Sequence, residues 1–218
     1  MRRYLSAGER AEYQRRTPRV ARQWLLGRVA VKDAVRQWLW DAGAGPMFPI
    51  EIKVSNDPSG RPRVSGPFDI PPQVSLAHTR SLAAALVGPP RGSAAVGSAA
   101  VGSTGVGIDI ERIEDQDERA IAAILTASER HLLDALCSSE KARSSWVTRF
   151  WAAKEATAKS IGTGLAGRPH QFTIEQVDQD RLLVATGDRT PGCWTHTGIG
   201  AVPEPYAVAW TEAEEGRY

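Results

Sequence analysis

The most regular pattern of small and apolar side chains lies in residues 146–161. Its positions recur at spacings of three and four: Trp146, Phe150, Ala153, Thr157 and Ile161. That spacing is typical of one buried face of a helix. The intervening alanines favour a helix, and Gly162 and Gly164 provide a stop, because glycine adopts the left-handed conformation that closes helices. We therefore predict one helix that ends at Ile161.

Two earlier helices are predicted from their start signals. Residues 6–9, Ser-Ala-Gly-Glu, form a capping box that opens a short helix to about Arg16. Thr17 and Pro18 begin a longer helix, which Gly43 ends. The predicted buried stripe of this second helix comprises Val20, Trp24, Val31, Val35, Trp38 and Leu39.

Alternating apolar and polar residues predict several short strands, because successive side chains of a strand point to opposite faces. The strands are residues 50–56, a short stretch from Arg61, 73–79, 82–87, 106–111, 171–177, 181–187, 192–199 and 206–211. A second capping box at residues 126–129 predicts a helix to about Leu136. We predict an α+β fold of two pseudo-symmetric halves, each a long helix packed on an antiparallel sheet, with an active site at their interface.

Residues 88–105 separate the two predicted halves. They are rich in glycine, alanine and serine, and the unit Ser-Ala-Ala-Val-Gly occurs twice in tandem. This composition is typical of a flexible linker. We predict an N-terminal half at residues 1–105, which ends in this linker, and a C-terminal half at residues 106–218.

Composition argues against a nucleic-acid-binding protein and against a membrane-spanning one. The 218 residues are 42% hydrophobic and 24% charged, with a net charge of +2, which is too balanced to indicate nucleic-acid binding. Arginines are nevertheless concentrated in the first 36 residues, so an anionic ligand or acidic partner is favoured there. No apolar run approaches the ~18–20 residues that span a bilayer. We therefore expect no membrane partner. Because Cys137 and Cys193 alone suggest no disulfide framework, we expect a cytoplasmic protein, and the two-halved architecture favours a monomer.

Two carboxylates stand side by side on the strand at residues 106–111. Alternation places Ile108 and Ile110 in the core and Asp109 and Glu111 together on the other side. An exposed strand face would tolerate this pair of like charges, and so would a bound cation. With Glu155 as a third oxygen donor, magnesium is the cation that such a site would suit.

Charged residues also share faces on the two long helices. Glu155 and Lys159 stand four apart, a spacing usually found in surface ion pairs and alternatively suited to a phosphate and its metal ion. On the earlier helix, Arg28, Lys32 and Arg36 recur every four residues. These three residues form either a solvent-exposed face of the helix or a binding site for phosphate groups.

Residues 106–111 (Val-Gly-Ile-Asp-Ile-Glu) and 150–159 (Phe-Trp-Ala-Ala-Lys-Glu-Ala-Thr-Ala-Lys) together resemble the signature of phosphopantetheinyl transferases. The resemblance is to the large, surfactin-synthetase type. Three weaker elements follow the order of that type: Trp-Leu-Leu-Gly-Arg at 24–28, Gly-Arg-Pro at 60–62 and Ser-Leu-Ala-His-Thr at 75–79. Many members have serine where this chain has Ala77. The helix from Trp24 is similar to transferase domains integrated in polyketide synthases.

The resemblance implies that the chain transfers the phosphopantetheine arm of coenzyme A to a serine of an acyl or peptidyl carrier protein, and releases adenosine 3',5'-bisphosphate. Asp109, Glu111 and Glu155 would then hold magnesium on the pyrophosphate. Lys159 would stabilise charge on the leaving oxygen. The serine proton would go either to Glu155 or to a metal-bound water. The carrier protein is expected to present an acidic surface.

The resemblance also assigns residues to the nucleotide end of coenzyme A. His78 would contact the 3'-phosphate, and Arg61 would help to hold the same end. Arg28 and Lys32 are expected as further phosphate contacts, and Lys154 as an additional contact to coenzyme A. The alternatives are a catalytically inactive module of the same fold, which binds coenzyme A or a carrier, and a nucleic-acid binder that uses the arginine-rich helices.

Overall fold

The computed structural model describes residues 1–90, 105–187, 189–198 and 205–211. Most of the predicted linker at 88–105 therefore lies outside the described residues. The described part of the chain divides into two units, one up to Val106 and the other from Gly107 onward. None of the described helices is both long enough and apolar enough to cross a membrane.

The first unit combines two helices with two small antiparallel sheets. Its elements are α1 (Ala7–Gln14), α2 (Pro18–Asp41), a 3-10 turn (Pro49–Glu51), β1 (Lys53–Asn56), β2 (Pro62–Ser65), β3 (Gln73–His78) and β4 (Ala83–Gly88). Strand β1 pairs with β2, and β3 pairs with β4. Val31, Val35 and Leu39 of α2 pack in the core of this unit.

The second unit packs helices on one five-stranded sheet. Its elements are β5 (Ile108–Arg112), α3 (Glu118–Ile124), α4 (Ala127–Leu136), α5 (Glu140–Ile161), a 3-10 turn (Pro169–Gln171), β6 (Thr173–Asp178), β7 (Arg181–Ala185), β8 (Gly192–Thr197) and β9 (Tyr206–Thr211). The antiparallel strands lie in the order β5-β9-β8-β7-β6. The predicted α+β class is confirmed.

Helix α5 ends as predicted and begins earlier than its apolar pattern. Ser139 caps its start by accepting a hydrogen bond from the backbone of Ala142, and Gly162 closes it with a φ of 88°. Residues 140–145 are mostly polar, so periodicity could not include them. Short α3 was also missed, because only a cap at Asp117 marks it.

The alternation predicted for β5 is confirmed. Ile108 and Ile110 are buried, and Asp109 and Glu111 share the opposite face, where they bond to Lys159 and Trp151 of α5. Asp109 pairs across the sheet with Ala209, which belongs to the core under the helix. Periodicity alone did not reveal which side of the strand the helix covers.

Gly107 lets the start of β5 approach the backbone of α5. A Cβ atom at this position would lie 1.9 Å from the carbonyl oxygen of Ala156 and 2.9 Å from the nitrogen of Ser160. No side-chain rotation relieves a clash with backbone atoms. The glycine is therefore required for the distance between the strand and the helix.

Gly107→Ala should lower the free energy of unfolding by about 1–3 kcal/mol, because it overpacks this contact. Gly8→Ala is the matched control, since nothing lies within 4 Å of a Cβ added there. Urea unfolding followed by circular dichroism measures both variants. Equal midpoints for Gly107→Ala and wild type would contradict the close approach.

Candidate active site

Helix α5 and strand β5 bring charged groups together within the second unit. The ammonium of Lys159 donates to Asp109 Oδ1 at 2.6 Å and to the carbonyl oxygen of Ile108 at 3.1 Å. One turn before Glu155, the indole N–H of Trp151 donates to Glu111 Oε1 at 3.2 Å. Side chains that are 40 to 51 residues apart in sequence thus form one site.

The carboxylates of this site lie close enough to repel one another. Burial raises the pKa of Glu111, and the charge of Asp109 raises it further, while the Trp151 indole N–H opposes the shift. Burial and Asp109 likewise raise the pKa of Glu155, and Lys159 opposes the shift. Both glutamates therefore hold protons more readily than a solvated glutamate does.

The donor set fits a magnesium ion in its chemistry, because hard cations prefer carboxylate oxygens and relieve repulsion between them. In the described residues, however, no three His, Cys, Asp or Glu side chains are arranged as a ready metal site. In this arrangement it is the ammonium of Lys159 that contacts Asp109. The predicted ligand set of Asp109, Glu111 and Glu155 stays a prediction.

Lys154 lies in the interior of the second unit and is not exposed to solvent. Its side chain is fully buried, and its ammonium donates to Glu129 Oε2 and to the carbonyl oxygen of Ile124, both at 2.8 Å. The carbonyl oxygen of Pro169 lies at 3.3 Å. The ammonium donors of Lys154 are thus used inside the unit, and its predicted contact to coenzyme A stays a prediction.

A pocket of about 560 Å³ opens in the first unit. Arg28 and His78 both line it, as predicted residues of one ligand site would. The guanidinium of Arg28 lies 4.8 Å from the ring centre of Trp24, and that of Arg16 lies at 5.3 Å. Arg28 is nine-tenths buried, and its Nε has no hydrogen-bond partner in the structure. Its buried Nε donor is therefore left unsatisfied within the chain.

Two other predicted phosphate contacts lie elsewhere. Lys32 is fully buried, and its ammonium donates to Glu9 Oε2 at 2.9 Å and to the carbonyl oxygen of Tyr4 at 2.6 Å. Its predicted contact to a phosphate stays a prediction. Arg61 lies in the turn before β2, where its backbone N–H donates to Asp57. Arg61 is not among the residues that line the pocket.

Sequence reasoning missed the role of Trp24. The spacing on α2 assigned it to the buried stripe, whereas it lines the pocket beside Arg28. Val20, at the start of the same stripe, is 44% exposed. Periodicity identified the core positions Val31 and Val35 correctly, because the sheets cover only that part of the helix face.

Residues 105–211 match the family model of the 4'-phosphopantetheinyl transferase superfamily. The match covers just under half of the chain. The matched segment is the second unit, which holds the carboxylates and Lys159. The transferase match does not extend to the pocket of the first unit.

Curated proteins similar to this chain include holo-[acyl-carrier-protein] synthases of Streptococcus agalactiae. The proteins of the serotype III and serotype V strains are each 35% identical over 81 residues, which is 34% of this chain and 66% of theirs. The chain thus spans just under two thirds of the length of these relatives. The relatives are holo-synthases and do not single out the surfactin-synthetase type.

Two solved structures also match about half of this chain. A holo-(acyl-carrier-protein) synthase of Bacillus anthracis, solved in complex with CoA (3',5'-ADP), is 26% identical and is matched over 51% of this chain and 97% of its own. The holo-[acyl-carrier-protein] synthase of Thermotoga maritima is 23% identical and is matched over 51% of this chain and 64% of its own. The TM-score is 0.36 in both cases, and at that value neither structure carries an argument about this chain.

Glu155→Gln should stabilise the protein at neutral pH when divalent ions are removed. A raised folded-state pKa contributes stability that is complete below the unfolded value of about 4.3 and is lost as pH rises through the folded value. The glutamine cannot ionise, so its melting temperature should exceed that of wild type at about pH 7 and not at about pH 4.

Thermal melts with a chelator across this pH range measure the difference. Glu175→Gln is the control, because Glu175 is an exposed carboxylate on β6. A Glu155→Gln variant that melts below wild type at every pH would contradict the repulsion.

Proposed function

We propose that the protein transfers the 4'-phosphopantetheine arm of coenzyme A to a serine hydroxyl of an acyl or peptidyl carrier protein, and releases adenosine 3',5'-bisphosphate. The main support for the proposal is that the family match and the charged site lie in the same segment of the chain. The segment that matches the transferase superfamily is the one in which Asp109, Glu111, Glu155 and Lys159 lie together.

The reaction is a displacement at phosphorus. The serine oxygen forms a bond to the phosphorus that carries the pantetheine arm, and the bond from that phosphorus to the bridging oxygen of the pyrophosphate breaks. Positioning and neutralisation of charge dominate such reactions. The ammonium of Lys159 would neutralise charge, because a positive group beside the site stabilises negative charge on the departing oxygen.

The serine proton is proposed to go either to Glu155 or to a metal-bound water. Without the metal, burial and Asp109 raise the pKa of Glu155, which brings it nearer the working pH of a base. The glutamate lies one helical turn from Lys159. Glu155 would thus act on the attacking serine, and the ammonium of Lys159 on the leaving oxygen, in the same reaction.

Magnesium is proposed as the metal, held by Asp109, Glu111 and Glu155. When bound, it would supply positive charge to the oxygens of the pyrophosphate. The pKa of both glutamates is raised first by burial and then by the charge of Asp109. This supports the proposal, because a bound cation would offset that repulsion.

The nucleotide end of coenzyme A is proposed to occupy the pocket of the first unit. Its volume falls in the range of about 300–1,000 Å³ that is usual for small-molecule sites. Arg28 would donate to the 3'-phosphate, with His78 beside it, and the guanidinium lies 4.8 Å from the ring centre of Trp24. Ser55 and Asn56 line the same pocket and can offer the polar contact that Ala77 lacks.

The surfactin-synthetase type is favoured within the superfamily. A complete α+β unit precedes the matched segment in this chain, and that type carries two such halves. Integration in a polyketide synthase rests only on the sequence of α2. An inactive module of the same fold is the alternative, against which the set of Glu155, Lys159 and Asp109 argues.

Lys159→Ala should lower the rate of transfer by about 100- to 1,000-fold, because it removes a donor to charge that develops in the transition state. Mass spectrometry of a carrier protein incubated with coenzyme A and magnesium measures the gain of one phosphopantetheine on serine. Lys141→Ala is the matched control, since Lys141 is exposed on the same helix.

Wild-type protein that binds coenzyme A and never modifies a carrier would favour the inactive module. A Lys159→Ala variant as fast as Lys141→Ala would contradict the assignment of the lysine.

Arg28→Gln should raise the KM for coenzyme A by about tenfold or more, since one charged contact is worth at least about 1.4 kcal/mol. Dephospho-coenzyme A lacks the 3'-phosphate, so its KM should be nearly the same in the variant and wild type. Arg22→Gln is the control, because Arg22 is exposed on the same helix. An equal loss for both substrates would place the 3'-phosphate elsewhere.

A further inference from the structure

Each of the two long helices carries one fully buried lysine that bonds to the capping box of a shorter helix. Lys32 of α2 and Lys154 of α5 are both 0% exposed. The Glu of each capping box accepts from the lysine and also from the backbone N–H that begins its own helix. The same construction thus occurs once in each unit.

In the first unit the construction joins α1 to α2. Glu9 Oε2 accepts from the backbone of Ser6 at 2.9 Å and from Lys32 at 2.9 Å. The lysine also donates to the carbonyl oxygen of Tyr4 at 2.6 Å, two residues before the cap.

In the second unit it joins α4 to α5. Glu129 Oε2 accepts from the backbone of Thr126 at 2.7 Å and from Lys154 at 2.8 Å. The lysine also donates to the carbonyl oxygen of Ile124, again two residues before the cap. The other oxygen of Glu129 accepts from the backbone of Ile174 at 2.7 Å.

The sequence carries the same correspondence. Residues 5–10 read Leu-Ser-Ala-Gly-Glu-Arg, and residues 125–130 read Leu-Thr-Ala-Ser-Glu-Arg. The leucine before each cap is buried, at 0% and 1% exposure. The cap, the acidic acceptor and the apolar residue in front of them are therefore shared, and each long helix supplies the lysine.

Stability alone does not account for two buried ion pairs. Removing charges from water costs as much as the pair regains, and apolar replacements are often as stable. Such a pair does impose one geometry, because a lysine saturated by fixed acceptors sets the rotation of its helix. The residues on the neighbouring faces of that helix are then fixed as well.

We propose that Lys32 with Glu9, and Lys154 with Glu129, are positioning residues, the first pair for the nucleotide pocket and the second for the catalytic face of α5. The proposal rests on the function proposed above. Neither pair touches substrate. Each acts through the helix that it holds.

The second pair bears directly on the proposed reacting groups. Lys154 precedes Glu155 in the chain and follows Trp151 by three residues. On the other flank, Arg149 of the same helix bonds to Thr195 at 2.8 Å. Rotation of α5 is thus restrained from two sides, and Glu155 is kept toward β5.

The first pair bears on the pocket. Lys32 stands one turn after Arg28 on α2, so both lie on one side of the helix. Glu9 holds α1, whose residue Glu12 lines the pocket together with Trp24. Loss of the pair would release both the helix that carries Arg28 and the helix that covers it.

Kinetics of the intact protein test the division of roles. Lys154→Met should lower kcat by about 100-fold, since small misplacements cost that much, and leave the KM for coenzyme A within about threefold. Lys32→Met should weaken binding of adenosine 3',5'-bisphosphate by about tenfold and leave kcat at saturating coenzyme A within about threefold. Lys141→Met and Lys53→Met, both at exposed lysines, are the matched controls.

A readout that is independent of activity separates this inference from the proposed function. Indole N–H resonances of the tryptophans can be assigned by single Trp→Phe variants. Lys154→Met should shift the resonance of Trp151 and leave that of Trp24, and Lys32→Met should do the reverse. These shifts are expected even if the wild type modifies no carrier, so the two proposals can fail separately.

Several outcomes would overturn the inference. One is that the methionine variants melt at lower temperature while the kinetic constants and indole resonances of the folded protein stay those of wild type, which is a purely structural role. Another is that Lys154→Met raises the KM for coenzyme A and leaves kcat, as a ligand contact would. If a methionine variant does not fold, Glu129→Asp or Glu9→Gln disturbs the same pair more mildly and faces the same criteria.

Discussion

Repulsion among three carboxylates is the constraint on which the proposed site depends. Asp109, Glu111 and Glu155 are brought together by a strand and a helix whose backbones touch at Gly107, so the acids cannot move apart without separating the two elements. The ammonium of Lys159 offsets part of the charge. The pKa values of the two glutamates are raised first by burial and then by the charge of Asp109, and a bound cation or a proton would relieve that repulsion.

The buried lysine Lys154 restrains the helix that carries Glu155. Burial of apolar area favours no particular rotation, because the hydrophobic effect is non-directional. A lysine bonded to a carboxylate and a carbonyl oxygen does have direction. Lys154 supplies that restraint in α5, and Lys32 supplies the same restraint beside Arg28 in α2.

Local signals in the sequence were sufficient for most elements. Both capping boxes, the glycine stop after Ile161 and the strands of the second unit were predicted, because caps, breakers and alternation act over a few residues. The polar first turns of α5 and the short α3 were missed, since neither has an apolar stripe. The similarity of residues 5–10 and 125–130 was visible in the sequence and could have shown that Glu9 and Glu129 have equivalent partners.

The sequence by itself determined the α+β class, the signature residues on one strand and one helix, and the candidates Asp109, Glu111, Glu155 and Lys159. Only the tertiary structure decided which face of β5 the helix covers, and which lysines are open to a ligand. Lys32, Lys154 and Lys159 are alike as residues in a helical pattern. They differ because burial beside a carboxylate from a distant helix is set by packing, which no local spacing encodes.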